Sequence, residues 1–155
     1  MNEKMSLLLQ GAALSPVSIS LGFTRLFDTI PLSVLQLVSR VAVAAVFWKS
    51  AQSKLASWPV TEQLFAMEYN VPLVPPEIAA PLATATELCG AILVFFGLFA
   101  RFGALALLGV VAVIQIFVYP QNWAEHFQWA SLLLLIVSRG AGTFSIDHFV
   151  RRYFV

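Results

Sequence analysis

Long uncharged runs, separated by short polar interruptions, fill most of the chain after its first thirty residues. A helix rises about 1.5 Å per residue, so about 20 apolar residues cross the roughly 30 Å of a bilayer's hydrocarbon. Four stretches approach that length. The first covers 31–50, with Arg40 near its middle and Lys49 near its end. Pro31 suits its first turn, where a missing N–H leaves nothing unpaired. The second covers about 78–99 and carries one charge, Glu87. The third, 102–119, holds no charge and one strongly polar side chain, Gln115. The fourth starts near Trp123 with His126 at its head and ends between Ser138 and Phe144, with Arg139 near its tail. This pattern predicts an all-α integral membrane protein, a four-helix bundle.

The connections are unequal. The second and third spans meet around Arg101 with almost no loop, and the third and fourth are joined by Tyr119-Pro120-Gln121-Asn122-Trp123. Tyrosine and tryptophan favour the headgroup level, which puts that turn at the membrane interface. The long connection is the first, residues 51–77. Within it, Thr61 to Tyr69 reads as a short amphipathic helix, with Leu64, Phe65 and Met67 on one side and Glu62, Gln63 and Glu68 on the other. Three parts result: an N-terminal segment 1–30, a four-span membrane domain 31–148, and a basic tail 149–155. The apolar stretch from Met5 to Phe23 is broken by Gln10, Ser15, Pro16 and Ser18 and lacks a basic leader, so an uncleaved interfacial segment is expected there.

Composition sharpens this picture. The chain is 59% hydrophobic and 11% charged, against roughly 45–50% and 25% in soluble domains. Lipid is the solvent and a first partner. A net charge of +1 without a Lys/Arg cluster argues against nucleic acid. The single cysteine, Cys89, excludes an intramolecular disulfide, a CxxC redox pair and Cys-rich zinc or iron–sulfur sites within the chain. Four spans put both termini and the Arg101 turn on one side. That side holds Lys4, Arg25, Arg101, Arg139, Arg151 and Arg152, against Lys49 and Lys54 opposite. Basic residues resist translocation, so both termini are expected in the cytoplasm and the 51–77 loop, with its amphipathic helix, outside.

Three stretches then resemble a known family. Arg40 … Lys54-Leu55 matches its R … K-L opening. The run from Glu87 through Gly90, Leu93, Gly97 and Leu98 to Arg101 is similar to its E-x-x-(G/A)-x-x-L-x-x-x-G-L-x-x-R stretch. Gly140-Ala141-Gly142-Thr143-Phe144-Ser145-Ile146-Asp147 resembles its G-x-G-x-x-S-x-D close. In this order and at these spacings, over roughly residues 31–148, the chain resembles the DoxX family of small four-helix membrane proteins. The resemblance implies a bacterial or archaeal cytoplasmic membrane and a link to redox metabolism, because relatives are similar to the membrane subunit of thiosulfate:quinone oxidoreductase. Other relatives associate with oxidative-stress or metal-handling systems, and distant ones act as membrane chaperones or cargo receptors. A shared fold does not establish catalysis.

Charges at membrane depth cost roughly 2.5–3.5 kcal/mol each on insertion scales and usually face the bundle interior with a partner. Arg40 and Glu87 therefore stand out, either as a structural ion pair between the first two spans or as a catalytic proton- or quinone-handling centre. Counting depth along each span brings them level enough to pair. Glu87 shares a helical face with Ala83, Gly90 and Gly97, the small residues of a close helix contact. Gln115 is either an interhelical hydrogen bond or a donor to a quinone carbonyl. His126 is either a satisfied interfacial histidine or a ligand-binding, proton-carrying group. Cys89 reads as an inert small residue, and His148 with Arg151 and Arg152 as a tail held at an anionic leaflet. No metal-ligand spacing, haem pair, P-loop or dinucleotide fingerprint occurs. Two functions follow. One is a quinone-linked oxidoreductase subunit, using Arg40 and Glu87 as catalytic groups and Gln115 and His126 as quinone contacts, with a soluble or membrane redox partner and oligomer formation open to it. The other is a non-catalytic anchor, chaperone or transport accessory.

Overall fold

The computed structural model of the chain describes residues 29–72 and 74–154. The expectations for the segment 1–30 fall almost wholly outside these residues. Among the described residues six α-helices follow one another: α1 Leu32–Ala56, α2 Trp58–Leu64, α3 Pro76–Phe96, α4 Ala100–Val113, α5 Trp123–Arg139 and α6 Ile146–Phe154. Both α2 and α4 run on into single π turns, Phe65–Tyr69 and Ile114–Val118, and a short 3₁₀ turn, Pro120–Asn122, leads into α5. No strand occurs among the described residues.

Helices α1, α3, α4 and α5 form an antiparallel ring in which α1 and α4 each pack against both α3 and α5. Val43 and Phe47 of α1, Val94 of α3, Leu107 of α4, and Leu133 and Ile136 of α5 fill its centre, each almost wholly buried. Large apolar side chains such as Val38, Leu82, Phe102 and Phe127 point outward instead. That inverted surface suits hydrocarbon, where exposed apolar groups lose nothing. Among the described residues, three helices are long and apolar enough to cross a membrane: Leu32–Ala56, Pro76–Phe96 and Ala100–Val118. The fourth, α5, ends at Arg139, inside the expected range from Ser138 to Phe144. The 17 residues of α5 rise about 25 Å, less than the roughly 30 Å core.

Local chemistry sets the boundaries. Pro75 and Pro76 start α3, and Gly97, at φ 66°, ends it, with Leu98 N–H donating back to Leu93 O at 3.0 Å. Helix α1 runs six residues beyond the expected end at Ser50, so the first connection is shorter than 51–77. The reason is Lys54, whose long stem lets its charge turn back into the bundle and keeps the last turn helical. The amphipathic segment exists, but Met67 does not share a side with Phe65. Phe65 is buried while Met67 is 82% exposed, because residues two apart on a helix point about 200° from each other. At the other end of the chain, α6 crosses the expected boundary between 148 and 149, so the basic tail is helical.

The bundle has two ends. The basal end carries the start of α1, the α3–α4 turn and the α5–α6 connection. The distal end carries α2, the two π turns and the Tyr119–Asn122 turn.

Candidate functional site

The two buried charges expected to pair lie in different places. Arg40 turns toward the basal end. Its Nε donates to Val94 O at 3.0 Å, Nη1 to Ala141 O at 2.7 Å and Phe144 O at 2.8 Å, and Nη2 to Phe95 O at 2.7 Å. It thus binds the last carbonyls of α3, where the helix dipole favours a cation, and the loop after α5. Glu87 turns the other way. Lys54 Nζ donates to its Oε1 at 2.9 Å and Oε2 at 2.7 Å, and to Ser50 Oγ at 2.8 Å. The expected Arg40–Glu87 pair is replaced by Lys54–Glu87.

Side-chain direction explains the exchange. Every Cα–Cβ bond in a helix tilts toward that helix's N-terminus. On antiparallel α1 and α3, Arg40 leans basally and Glu87 distally, so two side chains at similar depth diverge. Lys54, at the distal end of α1, leans basally and meets Glu87. The pair is nearly dry, with side chains 12% and 2% exposed. Lys54 is the residue that depth counting missed, and the tilt rule was the signal that could have found it.

The basal lock takes in most of the remaining motif residues. Gln36 Nε2 donates to Arg139 O and Gly140 O. Gly142, at φ 81°, presses so closely on Gln36 that a Cβ there would lie 2.7 Å from its Oε1. Ser145 Oγ accepts from His148 N–H and so caps α6. The Asp147 carboxylate accepts from Phe99 N–H at 2.8 Å and Ala100 N–H at 3.1 Å, capping α4 from across the chain. These contacts tie α1, α3, α4 and α6 at one end.

Above them, the distal half of the bundle encloses a cavity of about 630 Å³. Its walls are mainly apolar and aromatic, including Phe47, Phe65, Tyr69 and Trp129, and its polar groups include Ser50, Lys54, Glu87 and His126. Pockets of roughly 300–1,000 Å³ with a few convergent polar groups are the usual form of a small-molecule site. His126 is 3% exposed. Gln115 Nε2 donates to Pro120 O at 2.9 Å, which turns its Oε1 toward His126 Nδ1, 2.7 Å away. Nδ1 is then the protonated nitrogen, and Nε2 of the neutral ring keeps its lone pair. Gln115 lies outside the cavity lining and positions the histidine. Of the four candidate residues, the structure brings Glu87 and His126 to one cavity, puts Gln115 behind His126, and separates Arg40 from all three. Cys89 is exposed on the outer face of α3 and takes no part.

The two π turns meet over the distal end, where the Tyr69 and Tyr119 rings pack edge to face at 5.8 Å. Tyr119 Oη donates to Glu68 Oε1. This bond to a carboxylate, then burial and the neighbouring Tyr69, push the Tyr119 phenol above its ordinary range, and burial foremost does the same to Tyr69. Both are neutral phenols at physiological pH. Among the described residues, no group of three or more His, Cys, Asp or Glu side chains is placed to hold a metal ion.

No curated protein and no solved structure matches the chain. A family model does: that of DoxX matches residues 35–120, a stretch containing most of α1, all of α3 and α4, most of the cavity lining and the Lys54–Glu87 pair, but not His126. The match covers more than half of the chain, and this membrane protein belongs to the DoxX family.

Proposed function

We propose that the protein docks the head group of a membrane quinone in the distal cavity, as the membrane subunit of an oxidoreductase whose electrons come from a partner protein. The observation that carries this reading is a single apolar cavity into which the Lys54–Glu87 pair and His126 converge. A quinone ring carries two carbonyl acceptors on an apolar plane, and reduction adds two electrons and two protons. The Ser50 hydroxyl, which accepts from Lys54, keeps its O–H as a donor for a carbonyl, Phe47 and Trp129 supply aromatic walls, and Glu87 and His126 supply groups that can exchange protons. Gln115 fixes the tautomer of His126, and Arg40 serves as the anchor of the bundle away from the ligand.

Quinone titration of the purified protein in nanodiscs tests the reading. Saturable quenching of tryptophan fluorescence is expected, with about one equivalent of quinone extracted from the native membrane preparation. His126→Ala should weaken binding by about tenfold, the value of one good polar contact near 1.4 kcal/mol. Absence of saturable binding would overturn it.

A different observation favours a second reading, a non-catalytic anchor or accessory. Arg40, Gly97, Gly142, Ser145 and Asp147 of the family-like motifs all serve the basal lock. A motif retained for the fold alone would look the same. A soluble protein that stays bound through purification, without quinone, supports this alternative.

A further inference from the structure

We infer that the cavity is open sideways to the bilayer through a window between α3 and α4, so that its ligand is an amphiphile entering from the lipid with its tail left in the hydrocarbon. The inference rests on the ligand reading above and adds the route and the shape of the molecule.

Near their shared turn, α3 and α4 are in tight contact. A Cβ at Gly90 would lie 2.7 Å from Leu107 Cγ, and one at Gly103 would lie 3.0 Å from Leu93 Cβ. Further toward the distal end the helices part. Leu82 of α3 and Ala106, Gly109 and Val113 of α4 line the cavity and are also exposed on the outer surface of the bundle. A Cβ built at Gly109 meets no atom within 4 Å. The opposite wall differs. Phe47 and His126, from α1 and α5, line the same cavity and are 2% and 3% exposed. The wall at Phe47 and His126 is therefore closed, Asn122 and Glu125 leave an exposed mouth at the distal end, and the α3–α4 side is open at Leu82, Ala106, Gly109 and Val113.

Depth sets the medium beyond the window. Gly109 lies nine residues along α4 from Ala100, about 14 Å from the basal end, and Leu82 lies six residues along α3 from Pro76, about 9 Å from the distal end. Both levels fall inside a hydrocarbon core of about 30 Å. The rim residues are apolar, so they offer no hydrogen bond to a hydrated solute crossing them. The polar groups Lys54, Glu87 and His126 lie inside. A polar head held by these groups and an apolar tail reaching out past Gly109 match that arrangement.

Gly109→Leu tests the window, because the space at that Cβ is open and the side chain narrows the passage without a clash in the fold. Two probes are titrated in nanodiscs: a tail-less benzoquinone, and the same head group on a long isoprenoid tail. The expected result is a loss of about tenfold or more for the tailed probe with less than about a twofold change for the tail-less one. Unchanged binding of both probes overturns the window. Equal loss of both also overturns it, since residue 109 would then wall the head pocket rather than the passage. Wild-type protein that binds neither probe sinks the ligand reading itself, and the window with it.

Discussion

Arg40 and Glu87 solve the problem of a buried charge in two ways. Arg40 spreads its charge over four backbone carbonyls and needs its planar fork to reach them. Arg40→Lys should therefore fail to restore the fold that Arg40→Ala loses, read as monodisperse yield in detergent, because an ammonium with three donors cannot serve four carbonyls on two backbone segments at once. Glu87 relies on one ammonium. Removing either partner strands the other in a dry site, at about 3–5 kcal/mol, whereas replacing both with apolar residues is close to neutral. Glu87→Leu and Lys54→Met should each lower the thermal midpoint, and the double variant should recover most of the loss. Strictly additive losses would refute the pairing. The residue scale also contains a pH response. Tyr119 has a higher pKa folded than unfolded, so its contribution to stability is complete below the ordinary phenol value of about 10 and is lost as pH rises from there through the folded value. Ultraviolet titration should show two phenols ionising late, one of them absent in Tyr119→Phe. A titration unchanged by that substitution would remove the Tyr119–Glu68 latch. The pairing of charges was not legible from span depth alone, because depth omits which way each side chain leans.

The helices were legible to the degree that each had its own signal. Apolar run length located α1, α3 and α4, and proline and glycine marked the ends of α3. Helix α5 was visible, and its end was left open between Ser138 and Phe144 because apolar content continues into that stretch; the backbone leaves the helix at Gly140, with φ 81°. The π turns have no hydropathy signature. They arise where tertiary packing favours widening one turn, which apolar spacing does not record. Helix α6 was read as a tail from its basic residues, although Ile146, Phe149, Val150, Tyr153 and Phe154 recur at the i, i+3, i+4, i+7 and i+8 spacing of an amphipathic helix. Its anchor is Asp147, which caps another helix rather than its own. Asp147→Ala should lower stability by about 1 kcal/mol, the usual value of an N-cap. Gly97→Ala should do more harm, because its Cβ would sit 2.5 Å from Ser145 Cβ at a left-handed φ. Equal thermal midpoints for the two variants would show that the α3–α4 turn tolerates displacement from α6.

At the scale of the whole molecule, the family-like motifs divide between two tasks. Arg40, Gly97, Gly142, Ser145 and Asp147 close the basal end, while Lys54 and Glu87 face the distal cavity. The cavity itself was not legible in the sequence. It depends on tight α3–α4 packing at Gly90 giving way to separation at Gly109, a difference that two glycines of identical chemistry cannot announce. Charge carries a proposal for which solution the distal end faces. Among the described residues Arg101, Arg139, Arg151 and Arg152 lie toward the basal end and Lys49 and Lys54 toward the distal end, and we propose that the more basic end is the cytoplasmic one. Ser57 and Thr143 are exposed at opposite ends of the bundle, in the α1–α2 link and the α5–α6 connection. In a Cys89→Ser background, Ser57→Cys should react with a membrane-impermeant maleimide in intact cells, and Thr143→Cys only after the membrane is opened. Under this topology His126 and the Tyr119 latch lie toward the outer face, so protons exchanged at the cavity would come from the outer solution. The reverse labelling pattern would place the cavity toward the cytoplasm and assign those protons to the inner one.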